Sequence, residues 1–130
     1  MKNKNIVDSP YFEFLRYCLR EDEAEPEGIA NINWDRLYDF GKKQAILGVL
    51  YHGIQRLSAS DYRPNRQQVL KWYSTYLSIE KANRQAYKDA SALTELLYKN
   101  YGIKGCVLKG QANALMYPDP YMRTPGDIDL

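Results

Sequence analysis

The chain has 130 residues, which is enough for one domain with a sizeable core, and its 45% hydrophobic and 26% charged content is ordinary for a globular protein. The mean hydropathy of −0.59 and the lack of any long apolar run exclude a membrane-spanning segment. The net charge of +2 does not indicate a nucleic-acid surface, and the polar stretch 1–7 lacks the apolar centre of a secretory signal. We therefore expect a cytoplasmic protein, with neither a membrane nor nucleic acid as its partner.

The two cysteines, Cys18 and Cys106, lie far apart in the sequence. Disulfides are rare in the reducing cytoplasm, so we expect two buried, reduced thiols, with a disulfide as the alternative. His52 is the only histidine. Because no second histidine or cysteine ligand set lies near it, we expect His52 to be a helix-surface or core residue rather than a metal ligand or catalytic base.

Helical patterns begin close to the N-terminus. Ser9 stands directly before a proline, a pair typical of a helix start, and we predict a helix from there to about Arg20. The acidic stretch 21–28 is predicted to be a solvated connection. A second helical region begins after Asn33, another N-cap residue, and Gly41 is a point at which it could be interrupted.

The strongest helical pattern extends from Pro64 to about Asn100, where apolar and aromatic residues recur every three and four positions. Gly102 is predicted to end this helix. We expect the aromatic side chains to form a packed seam between helices, with a ligand pocket as the alternative. Residues 1–101 are thus predicted to form a helical N-terminal region.

The last part of the sequence, 102–130, has a different character. Residues 103–108 are a β-type run, 111–117 favour a short helix, and the prolines within 118–125 indicate a rigid loop. A second strand is predicted to begin at Asp127. The fold class expected for the whole chain is therefore α+β: a mainly helical region followed by the first strand, helix and strand of a mixed sheet.

The final predicted strand carries two acidic residues separated by one apolar residue. In a strand, alternate side chains project to the same face, so Asp127 and Asp129 would lie side by side. Two adjacent carboxylates repel each other unless a cation lies between them, and Mg²⁺ prefers carboxylate oxygens. The pair therefore predicts a magnesium site, with two solvated acids on an edge strand as the alternative.

A possible phosphate-binding turn precedes this pair. Gly110 stands where the first predicted strand feeds into a helix that begins near Gln111, and a glycine there lets backbone N–H groups approach phosphate oxygens. Lys109 could add a cationic contact, or it could be a surface lysine beside an ordinary turn. Arg123 could bind a phosphate or could pair with one of the aspartates, and the sequence leaves both roles open.

The residues discussed above belong to one run, V-L-K-G-Q-A-N-A-L-M-Y-P-D-P-Y-M-R-T-P-G-D-I-D-L. This run resembles the signature of the uncharacterised nucleotidyltransferase family, within the DNA polymerase β-like superfamily. Gly110 matches the turn glycine of that superfamily, and Asp127 and Asp129 match its metal-binding acids. Lys109 and Arg123 match positions typical of this branch. Upstream of the run the resemblance is general, since such proteins also tend to be helical there.

The resemblance implies a Mg²⁺-dependent transfer of a nucleoside monophosphate from a nucleoside triphosphate to a hydroxyl acceptor, with release of pyrophosphate. Asp127 and Asp129 would belong to a two-metal site, and Lys109, Gly110, Gln111 and Arg123 would contact the nucleotide. The acceptor stays open: a sugar, an antibiotic-like small molecule, a protein side chain or an RNA end. RNA is the less favoured of these because the net charge is small.

Two departures from the superfamily pattern affect this expectation. Gln111 stands where the superfamily usually has serine after the turn glycine, which alters the expected phosphate contact. The superfamily also uses a third carboxylate on a later strand. We therefore expect this chain to be the front part of a longer protein, and we expect the fragment alone not to be a competent catalyst.

Two other functions fit parts of the sequence. Metal-dependent glycosyltransferases also use an acid–x–acid motif, but theirs follows a long alternating α/β segment, whereas the sequence before Gly102 is almost entirely helical. The other is a non-catalytic helical interaction module with a degenerate nucleotide-binding site.

Overall fold

The computed structural model describes residues 9–108, 110, 114–117 and 119–126. These residues form four α-helices: α1 (Pro10–Leu19), α2 (Trp34–Lys43), α3 (Leu47–Gln55) and α4 (Arg66–Tyr101). Short 3-10 helices occur at Glu27–Asn31 and Pro120–Met122. The chain divides into two compact units, Met1–Thr75 and Tyr76–Leu130, which we call the N-terminal and C-terminal units; α4 contributes to both.

The predicted helix starts are confirmed. The Ser9 hydroxyl accepts a hydrogen bond from the Tyr11 amide at 3.3 Å, and the Asn33 side chain accepts one from the Arg36 amide at 3.1 Å. Each bond satisfies an amide that the first helical turn would otherwise leave unpaired. Gly41 does not interrupt α2, which continues to Lys43.

The core of the N-terminal unit is built from aromatic and aliphatic side chains. Phe14 meets Trp34 edge to face, with ring centroids 5.2 Å apart, and Tyr38 meets Trp72 in the same way at 5.4 Å. The Trp34 indole donates to the Tyr62 carbonyl at 2.8 Å, so its polar edge is satisfied although the ring is buried. The aliphatic residues that are almost fully buried here are Leu37, Leu47, Leu50 and Ile54.

Helices α1 and α3 approach closely at Cys18. A side chain at Gly53 would collide with the Cys18 sulfur, so only glycine fits there without rearrangement. Burial raises the pKa of the Cys18 thiol to about 12, although the nearby Arg56 opposes the shift. The guanidinium of Arg56 donates to the carbonyls of Tyr17 and Arg20 at 3.0 and 3.1 Å, and it thereby satisfies the C-terminal end of α1.

The structure describes all three residues whose burial and pairing were predicted, namely Cys18, Cys106 and His52. Both thiols are free, as expected; Cys18 is buried, but Cys106 is exposed, so its predicted burial was wrong. His52 lies on α3, with its Nε2 atom 3.5 Å from a Glu21 carboxylate oxygen, as expected for a helix residue. Glu25 in the acidic stretch also contacts the rest of the unit, since its carboxylate accepts from the Ser58 amide at 3.2 Å.

Helix α4 confirms the long helical prediction and its stop signal. The helix is unbroken for 36 residues, and Gly102 follows it with a φ of +65°, which favours glycine. The Gly102 amide donates to the Tyr98 carbonyl at 2.9 Å, and the Ile103 amide donates to the Leu97 carbonyl at 3.1 Å. These bonds satisfy carbonyls at the helix end.

The predicted α+β class is wrong for the described part of the chain, which is helical and contains no strand or sheet. Residues 102–107 have no regular structure, and Leu108 forms only an isolated bridge. Ile103 and Leu108 are each more than half exposed. A β-type run forms a strand only when a neighbouring strand supplies hydrogen bonds and one face is covered, and the run 103–108 lacks a covered face.

The described residues test neither the second predicted strand nor the predicted division into two regions. The second strand was predicted to begin at Asp127, which is outside the described residues. The functional division into a helical region, 1–101, and a catalytic region, 102–130, stays a prediction. Within the residues described above, no helix combines the length and the apolar character needed to cross a membrane.

Candidate functional site

The loop that leads to the D-I-D stretch is held against helix α4 by Asp119. The Tyr76 hydroxyl donates to one Asp119 carboxylate oxygen at 3.0 Å, and the other oxygen accepts from the Tyr121 amide at 2.9 Å. Asp119 is thus both the N-cap of the 3-10 helix Pro120–Met122 and an anchor to α4. The start of the loop has a fixed position relative to the helix.

A buried asparagine anchors the end of the same loop. The Asn83 side-chain amide donates to the Tyr121 carbonyl at 2.6 Å and also to the Arg123 carbonyl. Asn83 is fully buried, and it is the only polar or charged residue in the core of the described part of the chain. A buried amide is stable only when its donors are used, so these two bonds define the backbone at 121–123.

Ring contacts add to these polar anchors. The Tyr121 ring meets Tyr87 edge to face, with centroids 5.6 Å apart, and the Arg84 guanidinium lies 4.2 Å from the centroid of the Tyr121 ring. Glu80 accepts from Arg84 at 2.9 Å and holds the guanidinium in place. Tyr76, Asn83 and Tyr87 are seven and four positions apart, so they lie on one face of α4, and Arg84 flanks that face.

Arg123, one of the predicted nucleotide-binding residues, lies at the end of this anchored loop. Its Nη1 atom is buried and has no hydrogen-bond partner among the described residues. Burial raises the pKa of Tyr87, and the positive charge of Arg123 partly opposes that rise. A buried guanidinium N–H without an acceptor is costly, and an anionic oxygen would satisfy it.

Gly110 is the other predicted site residue that the structure describes. Its φ is +40°, in the left-handed range that favours glycine. Lys109, Gln111, Asp127 and Asp129 lie outside the described residues. Their predicted roles, and those of Gly110 and Arg123 in binding nucleotide, stay predictions.

The role of Asn83 in holding the loop was not predicted from the sequence. A signal for it was present: Asn83 is in helical register with Tyr76, Ile79 and Ala90, which the apolar pattern had placed on the inner face of the helix. A polar residue within such an apolar stripe indicates a buried hydrogen-bonding role. The identity of its acceptors could not be predicted, because they are backbone carbonyls about 40 residues away.

A family model described as an uncharacterised nucleotidyltransferase matches residues 30–130. Neither the curated proteins nor the solved structures include one that matches this chain. The matched range begins far upstream of the terminal run that suggested the resemblance, and it contains α2 to α4, the anchored loop and the D-I-D stretch. The chain therefore belongs to the uncharacterised nucleotidyltransferase family.

Proposed function

We propose that this protein takes part in a Mg²⁺-dependent transfer of a nucleoside monophosphate from a nucleoside triphosphate to a hydroxyl acceptor. The observation that carries the proposal is the loop anchored by Asn83, which ends four residues before Asp127 in a chain of this family. Catalysis of this kind requires charged groups that keep fixed positions during the reaction, and an anchored loop can hold them there.

The candidate metal ligands are Asp127 and Asp129. Two carboxylates with one residue between them offer the oxygen donors that Mg²⁺ prefers, so the chemistry of the donor set fits the metal. When bound, Mg²⁺ would neutralise the charge that develops on the phosphate oxygens. Among the described residues no group of three or more side chains could hold a metal ion, and Asp127 and Asp129 lie outside those residues.

The protein's own groups would bind and orient the triphosphate. Arg123 has a buried guanidinium N–H available for an acceptor, and a phosphate oxygen is an acceptor of the right charge. Gly110, with its left-handed backbone, would let neighbouring amides approach a second phosphate, and Lys109 and Gln111 would contact the same group. These contacts would hold the phosphorus in line with an incoming hydroxyl oxygen.

Calorimetry provides the test. We would titrate the chain with ATP, GTP, CTP and UTP, each with Mg²⁺ and with EDTA. We expect at least one triphosphate to bind only with Mg²⁺, and we expect Asp127→Asn/Asp129→Asn to abolish this binding. The control is Asp39→Asn/Asp61→Asn, which removes two exposed carboxylates of the N-terminal unit and should leave the affinity unchanged.

Substitutions of Arg123 give a second test, in which the affinity for the Mg²⁺–triphosphate should fall by different amounts. Arg123→Gln should weaken Mg²⁺–triphosphate binding by about tenfold, as expected for loss of a charge-assisted hydrogen bond, and Arg123→Lys should restore part of it. If folded wild-type chain binds no triphosphate, or binds it equally well in EDTA and in the double aspartate variant, the proposal is wrong. The helical interaction module would then be the better hypothesis.

A further inference from the structure

A groove between α1 and α2 lies entirely within the N-terminal unit. Its cavity volume is about 510 Å³, within the range of about 300–1,000 Å³ that is usual for small-molecule sites. The walls are mainly apolar, with Phe12 and Leu15 from α1, Leu37 and Phe40 from α2, and Ile46 from the turn before α3. We call this cavity the α1–α2 groove.

Two phenylalanines expose apolar area at this groove. Phe12 is 42% exposed and Phe40 is 48% exposed, although both line the same cavity. A ligand with an apolar body would remove this surface from water, which is the main source of affinity at such sites. Leu37 and Leu50 form the floor of the groove, and core packing holds both side chains in place because they are almost fully buried.

One end of the groove is polar and positively charged. The Tyr11 hydroxyl accepts from the Asn33 amide at 3.2 Å, and the Asn33 side chain caps the Arg36 amide at 3.1 Å, so both Tyr11 and Arg36 hydrogen-bond to Asn33 at the N-terminal end of α2. Both side chains line the groove, as does Ser9. Arg36 makes no ion pair with any described residue, and Asp35 beside it does not line the groove.

The length of the groove follows from the helix that forms its wall. Arg36 and Gln44 both line it and are eight residues apart, which corresponds to about 12 Å along a helix. Between them lie the apolar residues Leu37 and Phe40. The cavity is thus elongated, with a cation and a helix N-terminus at one end, which both favour an anion.

We propose that the α1–α2 groove binds a small amphipathic carboxylate, with its acid group at Arg36 and Tyr11 and an apolar body about 12 Å long along α2. The Tyr11 hydroxyl accepts one bond and keeps its own O–H to donate to the ligand. This site is independent of nucleotidyl transfer, so Asp127→Asn/Asp129→Asn should leave it unchanged.

The test uses three probes of similar apolar length: decanoate and decyltrimethylammonium, each below its critical micelle concentration, and decanol below its solubility limit in water. We expect decanoate to bind saturably with one site per chain and more tightly than the other two. Arg36→Gln should weaken decanoate binding by about fivefold at low salt, and Arg36→Lys should retain most of it. The control Lys43→Gln removes an exposed charge from the same helix outside the groove and should have no effect.

A steric variant tests the location. Leu15→Trp would fill the groove and should abolish decanoate binding, with circular dichroism used to confirm that the variant folds. The Arg36 variants alter an exposed side chain, so they stay informative even if Leu15→Trp does not fold. Equal affinity for the three probes, no saturable binding, or a dimer in sedimentation that Leu15→Trp disrupts would overturn the proposal; the last result would assign the groove to a second copy.

Discussion

The two units of this chain differ in the kind of interaction that organises them. The N-terminal unit has a core of interlocking apolar and aromatic side chains, in which Phe14, Leu37 and Trp72 are almost fully buried. In the C-terminal unit the long helix α4 holds a loop through the Asn83 amide and through hydrogen bonds to Asp119. Burial of apolar surface stabilises without regard to direction, whereas hydrogen bonds specify position.

The two units thus differ in how much apolar surface they bury and in how far hydrogen bonds position their chain. The C-terminal unit leaves large apolar side chains exposed, among them Leu96, Tyr101, Leu115 and Met116. It therefore buries less of its own apolar surface and depends more on directed polar contacts. The acidic stretch proposed for metal binding follows the part of the chain that is positioned by hydrogen bonds.

Thiol alkylation should show the largest contrast between the units, because each contains one free cysteine. Cys106 is exposed, whereas the Cys18 thiol is buried with its pKa raised to about 12. Since the thiolate is the reactive form, iodoacetamide at pH 8 should modify Cys106 more than about a hundredfold faster than Cys18. Mass spectrometry of peptides over time would measure both rates, and comparable rates would show that the N-terminal core opens readily.

The same thiol gives a pH dependence. The pKa of Cys18 is higher in the folded chain than the ordinary thiol value of 9.0, so the folded state retains the proton that the unfolded state loses. Its contribution to stability is therefore complete below pH 9 and is lost as the pH rises towards about 12. Cys18→Ala should show a smaller loss of unfolding free energy over this range than the wild type.

Substitution of the largest fully buried side chain, Trp72, should have the largest effect on stability. Trp72 is 1% exposed and packs on Tyr38, so Trp72→Ala should lower the free energy of unfolding by about 3–5 kcal/mol. Its neighbour Tyr73 is 44% exposed, and Tyr73→Ala should cost about 1 kcal/mol or less. Urea denaturation would compare them, and equal losses would contradict the packed core described for the N-terminal unit.

Asn83→Leu should affect the C-terminal unit more than the N-terminal one. The leucine has a similar size but leaves the carbonyls of Tyr121 and Arg123 without their donor, at a cost of about 1–3 kcal/mol. Hydrogen exchange should show faster exchange at the amides of Tyr121 and Met122, with little change in α1. Asn100→Leu is the matched control, because Asn100 is exposed near the end of the same helix.

The helices were predictable from the sequence because their signals are local. Ser9, Asn33 and Gly102 act on backbone groups within a few residues, so their roles follow from chemistry that the sequence displays directly. The α+β prediction went wrong at 103–108 because strand formation depends on a distant partner and a covered face. Local β propensity does not supply either of these.

The candidate site was predictable only in part, and for the same reason. At Gly110 the left-handed φ suits the glycine that the sequence places between a β-type and a helical run. The anchoring by Asn83 joins residues about 40 positions apart, and the burial of the Arg123 Nη1 atom, which has no partner among the described residues, is likewise a tertiary property. Such tertiary relations are not encoded in any one segment.

The smallest effect is expected at the turn between α2 and α3. Ala45 has a φ of +58°, a left-handed conformation that costs a non-glycine residue about 1 kcal/mol. Ala45→Gly removes that strain but gives the unfolded chain more freedom, so we expect a net stabilisation of about 0.5 kcal/mol. Ala92→Gly, at an exposed position inside α4, should instead destabilise by about 1 kcal/mol, as measured by urea denaturation. If both substitutions destabilise equally, the turn at Ala45 is not left-handed in solution, and the connection between α2 and α3 must differ from the one described.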